Sequence, residues 1–174
     1  ISADGLRTGL QQTRADGLIP EFGVRVGASI RQIAALADQQ VHGFDSFEGL
    51  PEAWRNEPRG SYSTSGIIPA VPENVTLHRG WFDRSLPDFL REHAGSVRFM
   101  NVDCDIYSST RTVLTLLAGR IVPGTVIVFD EYFGHDGWEH DEFKAFQEAV
   151  SEQGWRYEYV CFSLCTGQAV VRIR

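Results

Sequence analysis

Two apolar runs, VRFMNVD at 97–103 and TVIVFDE at 125–131, each finish in carboxylates, and together they constrain this chain more than any other feature. Short runs of Val, Ile and Phe bounded by turn residues read as strands buried on both faces, the habit of a parallel sheet covered by helices. The intervening SSTRTVLTLLAGRI (108–121) reads as a helix, which makes the segment a strand–helix–strand unit. Ligands of an open parallel sheet bind outside the carboxyl ends of its strands. Neighbouring strands would therefore bring Asp103, Asp105, Asp130 and Glu131 to one edge. Clustered carboxylates repel unless a cation lies among them. Mg²⁺, which takes one or two carboxylates and leaves positions for water and substrate oxygens, is the expected ion. Strand-end carboxylates also cap loops and helices, the plainer role for any one of them.

The rest of the chain continues the alternation. Residues 3–17 read as a short amphipathic helix, and LIPEFGV (18–24) as the first strand, with Pro20 at its beginning. GAS (27–29) opens a helix over IRQIAALA, with Ser29 as its predicted N-cap. VHGFDSF (41–47) is the second strand and VTLHRG (75–80) the third, the latter followed by a helix over 81–95. A further helix spans 138–154, and 155–162 with 167–174 form a closing hairpin. Residues 48–74, rich in Pro, Gly, Ser and Asn, have no period and read as an active-site loop. The predicted fold is α/β, a doubly wound, mostly parallel sheet, with 1–174 as a single domain.

Composition narrows the function classes. A net charge of −7 without a basic run argues against a nucleic-acid partner. No apolar stretch approaches the ~20 residues that span a bilayer. There is no signal-peptide pattern, and the start at Ile1 rather than Met suggests a trimmed terminus. Cys104, Cys161 and Cys165 suit neither a disulfide framework nor a zinc site, and reduced cysteines point to the cytosol. Assembly into a homo-oligomer is left open.

Smaller motifs surround the acids. Glycines in EFGVRVGAS, after the first strand, let backbone approach a ligand, while the helix start offers free N–H groups. The spacing from Gly23 to Gly27 fits neither a dinucleotide fingerprint nor a P-loop, so a nucleoside-sized ligand or a plain tight turn remains. Asp45 ends the second strand, where such folds place an acid on ribose hydroxyls; a turn cap is the alternative. Trp81 and Phe82 could flank an adenine ring or simply pack. His135 and His140 lack the zinc-helix spacing and are candidates for the substrate side, while His42, His78 and His93 read as packing or surface residues.

Assembled, these stretches resemble a class I S-adenosylmethionine-dependent methyltransferase of the macrocin O-methyltransferase family. The resemblance runs from about residue 20 to 150 through EFGVRVGAS, GFDSFEGLPE, ENVTLHRGWFDRSLPDF, VDCDIYSSTRTVL and PGTVIVFDEYF. It implies a seven-stranded Rossmann-like sheet ending in an antiparallel pair, and methyl transfer to a hydroxyl of a sugar or other vicinal-diol acceptor, as in antibiotic biosynthesis. By the same resemblance Glu21, Gly23, Gly27 and Ser29 line the methionine end of S-adenosylmethionine, Asp45 and Ser46 meet the ribose, and Trp81 with Phe82 borders the adenine. Asp103, Asp130 and Glu131 match the family's Mg²⁺ ligands, with Glu131 standing where some relatives carry Asp. Asp105 matches the family's proposed general base. Two other readings compete: a haloacid-dehalogenase-type Mg²⁺ phosphatase, suggested by VDCDIYSS with VFDE, and a non-catalytic cofactor-binding module.

Overall fold

A computed structural model describes residues 3–13 and 16–174. Strands β1 (Pro20–Phe22), β2 (Val41–Asp45), β3 (Val75–Arg79), β4 (Phe99–Val102), β5 (Val126–Phe129), β6 (Tyr157–Ser163) and β7 (Gln168–Ile173) form one sheet. Its order is β3-β2-β1-β4-β5-β7-β6, parallel except for the antiparallel β5–β7 and β7–β6 pairs. The chain winds outward from β1 in both directions, so the β1/β4 junction is the switch point at which such sheets open a crevice.

Helices α1 (Ala3–Gln11) and α2 (Ala28–Leu36) cover one face; α3 (Phe82–Glu92), α4 (Tyr107–Leu117) and α5 (Glu142–Gln153) cover the other. The period of two along a strand sends alternate residues to opposite helix layers, which is why β5 is apolar throughout and β4 apolar at all but one position. Val126 and Val128 of β5 meet the first layer, and Ile127 and Phe129 meet the second. In β4 the alternation is broken once, at Asn101, whose amide donates to Glu21 Oε1 at 2.8 Å. Among the described residues, no helix is long and apolar enough to cross a membrane.

Three expectations shift in detail. The first helix ends at Gln11, and residues 14–15 of its expected span lie outside the described residues. Ser29 is not the cap of α2: Gly27, at φ 79°, precedes the helix without a side-chain cap, and Ser29 is buried beside the Glu21 carboxyl instead. The helix expected over 138–154 breaks into a 3₁₀ turn, Trp138–His140, and α5, because Asp141 between them leaves helical geometry and accepts the Trp54 indole N–H. The loop 48–74 contains no helix or strand, only an isolated bridge between Trp54 and Glu57.

At the β2/β3 edge, His42, His78 and His93 form one cluster with Phe44 and Phe89. His42 Nδ1 lies 3.2 Å from His78 Nε2, and the His42 and His93 rings are 4.9 Å apart. Burial, then the potential charges of His78 and His93, push His42 down to about 4; burial also lowers His78, with Glu92 opposing. A depressed histidine pKa means the native state binds fewer protons than the unfolded chain. The cluster's stabilisation is therefore full above the unfolded value of ~6.5 and is lost as pH falls towards 4. His42 should cost about 2 kcal/mol of stability at pH 5, or roughly 4–8 °C of Tm. Melting at pH 8 and pH 5 should show that extra loss in the wild type relative to His42→Asn. An equal loss in both proteins would place the acid sensitivity elsewhere.

Candidate active site

The crevice at the switch point begins with a backbone contact. Gly23, just past β1, has φ 93°, and a Cβ there would lie 1.7 Å from the Asp103 carbonyl oxygen past β4. Only glycine satisfies both conditions. The chain after it is tied to β2: Asp45 Oδ2 accepts the amides of Val24 (2.9 Å) and Arg25 (2.6 Å), and Oδ1 accepts that of Phe47 (2.7 Å). Three of roughly four acceptor positions on this carboxylate are thus taken by backbone, so the turn-cap role is real and about one position is left for a ligand.

Above these turns lies a cavity of about 570 Å³. It is lined by Gly23, Ala28, Ser29, Asp45, Ser46, Trp81 and Phe82 and by Leu50, Trp54, Tyr62, Asp105 and Glu131, with Asp103 and Asp130 also in its wall. Glu21 and Gly27 stand behind the wall rather than in it. Glu21 is fully buried, and burial raises it to about 7 against the opposing hydrogen bonds from Ser29 and Asn101; Oε2 has no partner among the described residues. Phe82 is fixed edge-on to Phe22, with centroids 5.5 Å apart.

The four strand-end acids converge as their positions required. Asp103 and Asp130 lie side by side, and Gln168 of β7 donates to Asp130 Oδ1. Burial first, then Asp130 and Asp105, holds Asp103 well above the carboxylate range. Asp105 is pushed up to about 7 by burial, then by Glu131 and Asp130, with Arg25 opposing. Burial and then Asp130 raise Glu131, against His135 and Arg55. His135 packs beside the site, its Nε2 3.2 Å from the Glu131 carbonyl oxygen, but neither it nor the exposed His140 lines the cavity.

A further acid was not anticipated. Glu142 is fully buried behind the cluster, where its Oε2 accepts the Glu131 amide at 3.2 Å and its Oε1 has no partner among the described residues. Burial, then Asp105 and Asp130, raises it well above its ordinary value. A signal existed in the pattern: Glu142 heads the buried stripe of α5 that continues with Ala145, Phe146 and Ala149, a carboxylate on a face otherwise apolar.

Whether the donors suit Mg²⁺ can be judged from their chemistry. Asp103 and Asp130 are hard oxygen donors held together against their own repulsion, and a small cation at such a pair relieves it. Among the described residues, no group of three or more acids, imidazoles or thiols is arranged to hold a metal ion. The expected set of Asp103, Asp130 and Glu131 is therefore not assembled as a three-ligand site; the structure brings together the Asp103–Asp130 pair alone.

Comparison with known proteins bears on the family and the fold. A family model described as a methyltransferase domain matches residues 21–132. A curated relative from Streptomyces olivaceus, 8-demethyl-8-(2,3-dimethoxy-alpha-L-rhamnosyl)-tetracenomycin-C 4'-O-methyltransferase, is 27% identical over 160 residues, covering 74% of this chain. The chain spans 59% of that relative's length. Among solved structures, the calicheamicin methyltransferase CalS11 superposes with a TM-score of 0.74 at 21% identity, over 98% of this chain and 76% of its own. The O-methyltransferase NovP gives 0.70 at 20% identity, over 98% and 78%. At these identities the structural matches speak for the fold.

The Gly23 contact is directly testable. Gly23→Ala places a methyl group against backbone that cannot yield while β1 and β4 stay paired, at a φ that disfavours Cβ. It should destabilise by about 3 kcal/mol or more. Urea unfolding measures this, and a loss below about 1 kcal/mol would mean the junction is looser than described.

Proposed function

Because the chain belongs to the methyltransferase-domain family, we propose that it transfers the methyl group of S-adenosylmethionine to a hydroxyl of a sugar or other vicinal-diol small molecule. The observation that carries this reading is the cavity of about 570 Å³ at the β1/β4 switch point, lined by Asp45 and by the four strand-end acids Asp103, Asp105, Asp130 and Glu131. The similarity to a rhamnosyl-tetracenomycin 4'-O-methyltransferase and to CalS11, a TDP-rhamnose 3'-O-methyltransferase, supports a sugar acceptor. Residues 1–174 act as one domain on this reading, in the cytosol, where free thiols such as Cys161 and Cys165 stay reduced.

Gly23 and Ser29, with the turn before α2, would hold the methionine end of the cofactor. Glu21 sets the Ser29 hydroxyl from behind, and Gly27 admits the turn. Ser46 and the remaining acceptor position of Asp45 meet the ribose, and Trp81 and Phe82 border the adenine. This puts the sulfonium near the carboxylates, whose negative charge favours a cation in a poorly solvated site. Asp103 and Asp130 hold Mg²⁺, with Glu131 beside them and Gln168 orienting Asp130. When bound, the ion supplies Lewis-acid polarisation of the acceptor hydroxyl.

Asp105 is the general base. Its elevated pKa, about 7, makes it a better proton acceptor than an ordinary aspartate. The acceptor oxygen forms its bond to the methyl carbon as the carbon–sulfur bond breaks, the thioether leaves neutral, and the hydroxyl proton passes to an Asp105 oxygen. Trp54 and Tyr62 form an aromatic wall against which a sugar ring can lie. Alignment of the two reactants supplies much of the rate.

Thermal unfolding with S-adenosylmethionine or S-adenosylhomocysteine at about 100 times Kd should raise Tm by roughly 5–10 °C. A null result with both would sink the cofactor assignment. Asp103→Ala should keep that shift while losing Mg²⁺ binding by calorimetry and Mg²⁺-dependent release of S-adenosylhomocysteine in the presence of rhamnosides. Undiminished Mg²⁺ binding would remove Asp103 from the ligand set.

A further inference from the structure

Asp105 sits in an unfavourable backbone conformation. Its φ is 62°, and the Ile106 amide donates to the Cys104 carbonyl at 2.6 Å. A two-residue hydrogen bond around a residue of positive φ is the rare, strained form of three-residue turn. Such strain persists only where surrounding structure over-determines it. One side of the turn is held from within: Cys104 is buried with Sγ 3.4 Å from Thr110 Oγ1, and the Thr110 amide bonds the Ile106 carbonyl as α4 begins.

The other side is held by the loop. Ile106, 2% exposed, belongs to neither face of the main core; it forms a separate small cluster with Leu50 and Trp54. Trp54 is itself fixed, by its indole N–H to Asp141 Oδ2 at 2.9 Å and by edge contact with His135, whose ring centroid lies 5.7 Å away. Beside it, Ser108 donates to Glu52 Oε1 at 2.6 Å, fastening the same stretch to the start of α4. The loop folds back on itself through the Leu50–Ser61 and Trp54–Glu57 backbone pairs, so it presents Leu50 and Trp54 as a formed surface.

We propose that Trp54 is a positioning residue for Asp105: by packing with Leu50 onto Ile106, it holds the strained turn that points the Asp105 carboxylate into the cavity. The role of Asp105 as base rests on the methyltransferase reading; the mechanical coupling does not. Trp54 touches the turn and α5 at once, so the loop that lines the cavity also sets the base. A loop displaced from Ile106 lets the turn relax and the carboxylate leave its place.

The test compares Tm for Asp105→Gly and Asp105→Ala, each in the wild-type and Trp54→Ala backgrounds, without ligand. Both variants remove the carboxylate; they differ in the Cβ that positive φ disfavours. In the wild-type background the glycine variant should melt about 2–4 °C above the alanine variant. With Trp54→Ala the gap should shrink below about 1 °C or reverse, since glycine otherwise gains unfolded-state entropy. Trp54→Phe, which keeps a ring on Ile106, should restore at least half of the gap. A Trp54 that served only general stability would lower all melting points and leave the gap unchanged, and that result would overturn the proposal, as would the absence of a gap in the wild-type background. Leu50→Ala replaces Trp54→Ala if the latter does not fold. The S-adenosylhomocysteine shift of the wild type reads the cofactor assignment separately, so either idea can fail alone.

Discussion

The distance between two backbones at the switch point governs the rest of this structure. The Asp103 carbonyl occupies the space that a side chain at position 23 would need, so the turn leaving β1 crosses directly over the end of β4. That crossing places the backbone of 23–25 beside the Asp103–Asp105 segment, and Asp45 then anchors the same turn to β2 through three amides. Three strand ends are thereby locked into one rim. A cavity that needs a cofactor and an acid within a few ångströms of each other requires such a junction, because two loops carrying side chains could not approach so closely. The apolar strands beneath supply rigidity on both faces.

The same junction creates an electrostatic cost. Asp103, Asp105 and Glu142 carry raised pKa values for which burial is the first cause and neighbouring acids the next, and burial raises Asp130 as well, with Gln168 opposing. Each group buried without a cation destabilises the fold whenever it ionises, so the cluster prefers to hold protons or a cation. Partners that belong to the scaffold soften this: Gln168 reaches Asp130 from the antiparallel β7, and the Glu131 amide reaches Glu142. The order in which β7 lies between β5 and β6 is what brings Gln168 to the acid pair. A closing hairpin that paired β6 to β5 would not place it there.

Much of this was legible in the chain. The two apolar runs ending in acids are adjacent parallel strands, and the unpatterned loop is where Pro, Gly and Ser put it. What was not legible has a physical reason in each case. Ser29 has the look of a cap, yet capping is local while its actual partner, Glu21, is a tertiary neighbour across the β1 turn. Glu142 and Asn101 are polar residues on buried faces, and an otherwise apolar stripe conceals a single polar member unless the exception itself is read. The break at Asp141 arises from Trp54, 87 residues away in sequence, and no window-based pattern contains that information.

Backbone strain ties these threads together. Every described non-glycine residue with positive φ (Arg25, Phe47, Arg55, Tyr62, Ser65 and Asp105) lies on the turn after β1, the turn after β4, or the loop from 47 to 65. None lies in the helices or strands of the scaffold. Left-handed conformations cost of order 1–3 kcal/mol each, so a sequence would shed them if the fold alone were at stake. Arg25, Tyr62 and Asp105 among them line the cavity, so this strain is concentrated on the rim that shapes the site, and regular geometry is kept in the scaffold. On that view the loop is more than a cover over a finished site. It shares the strain of the turns it touches, and the site takes its working shape only with the loop in place.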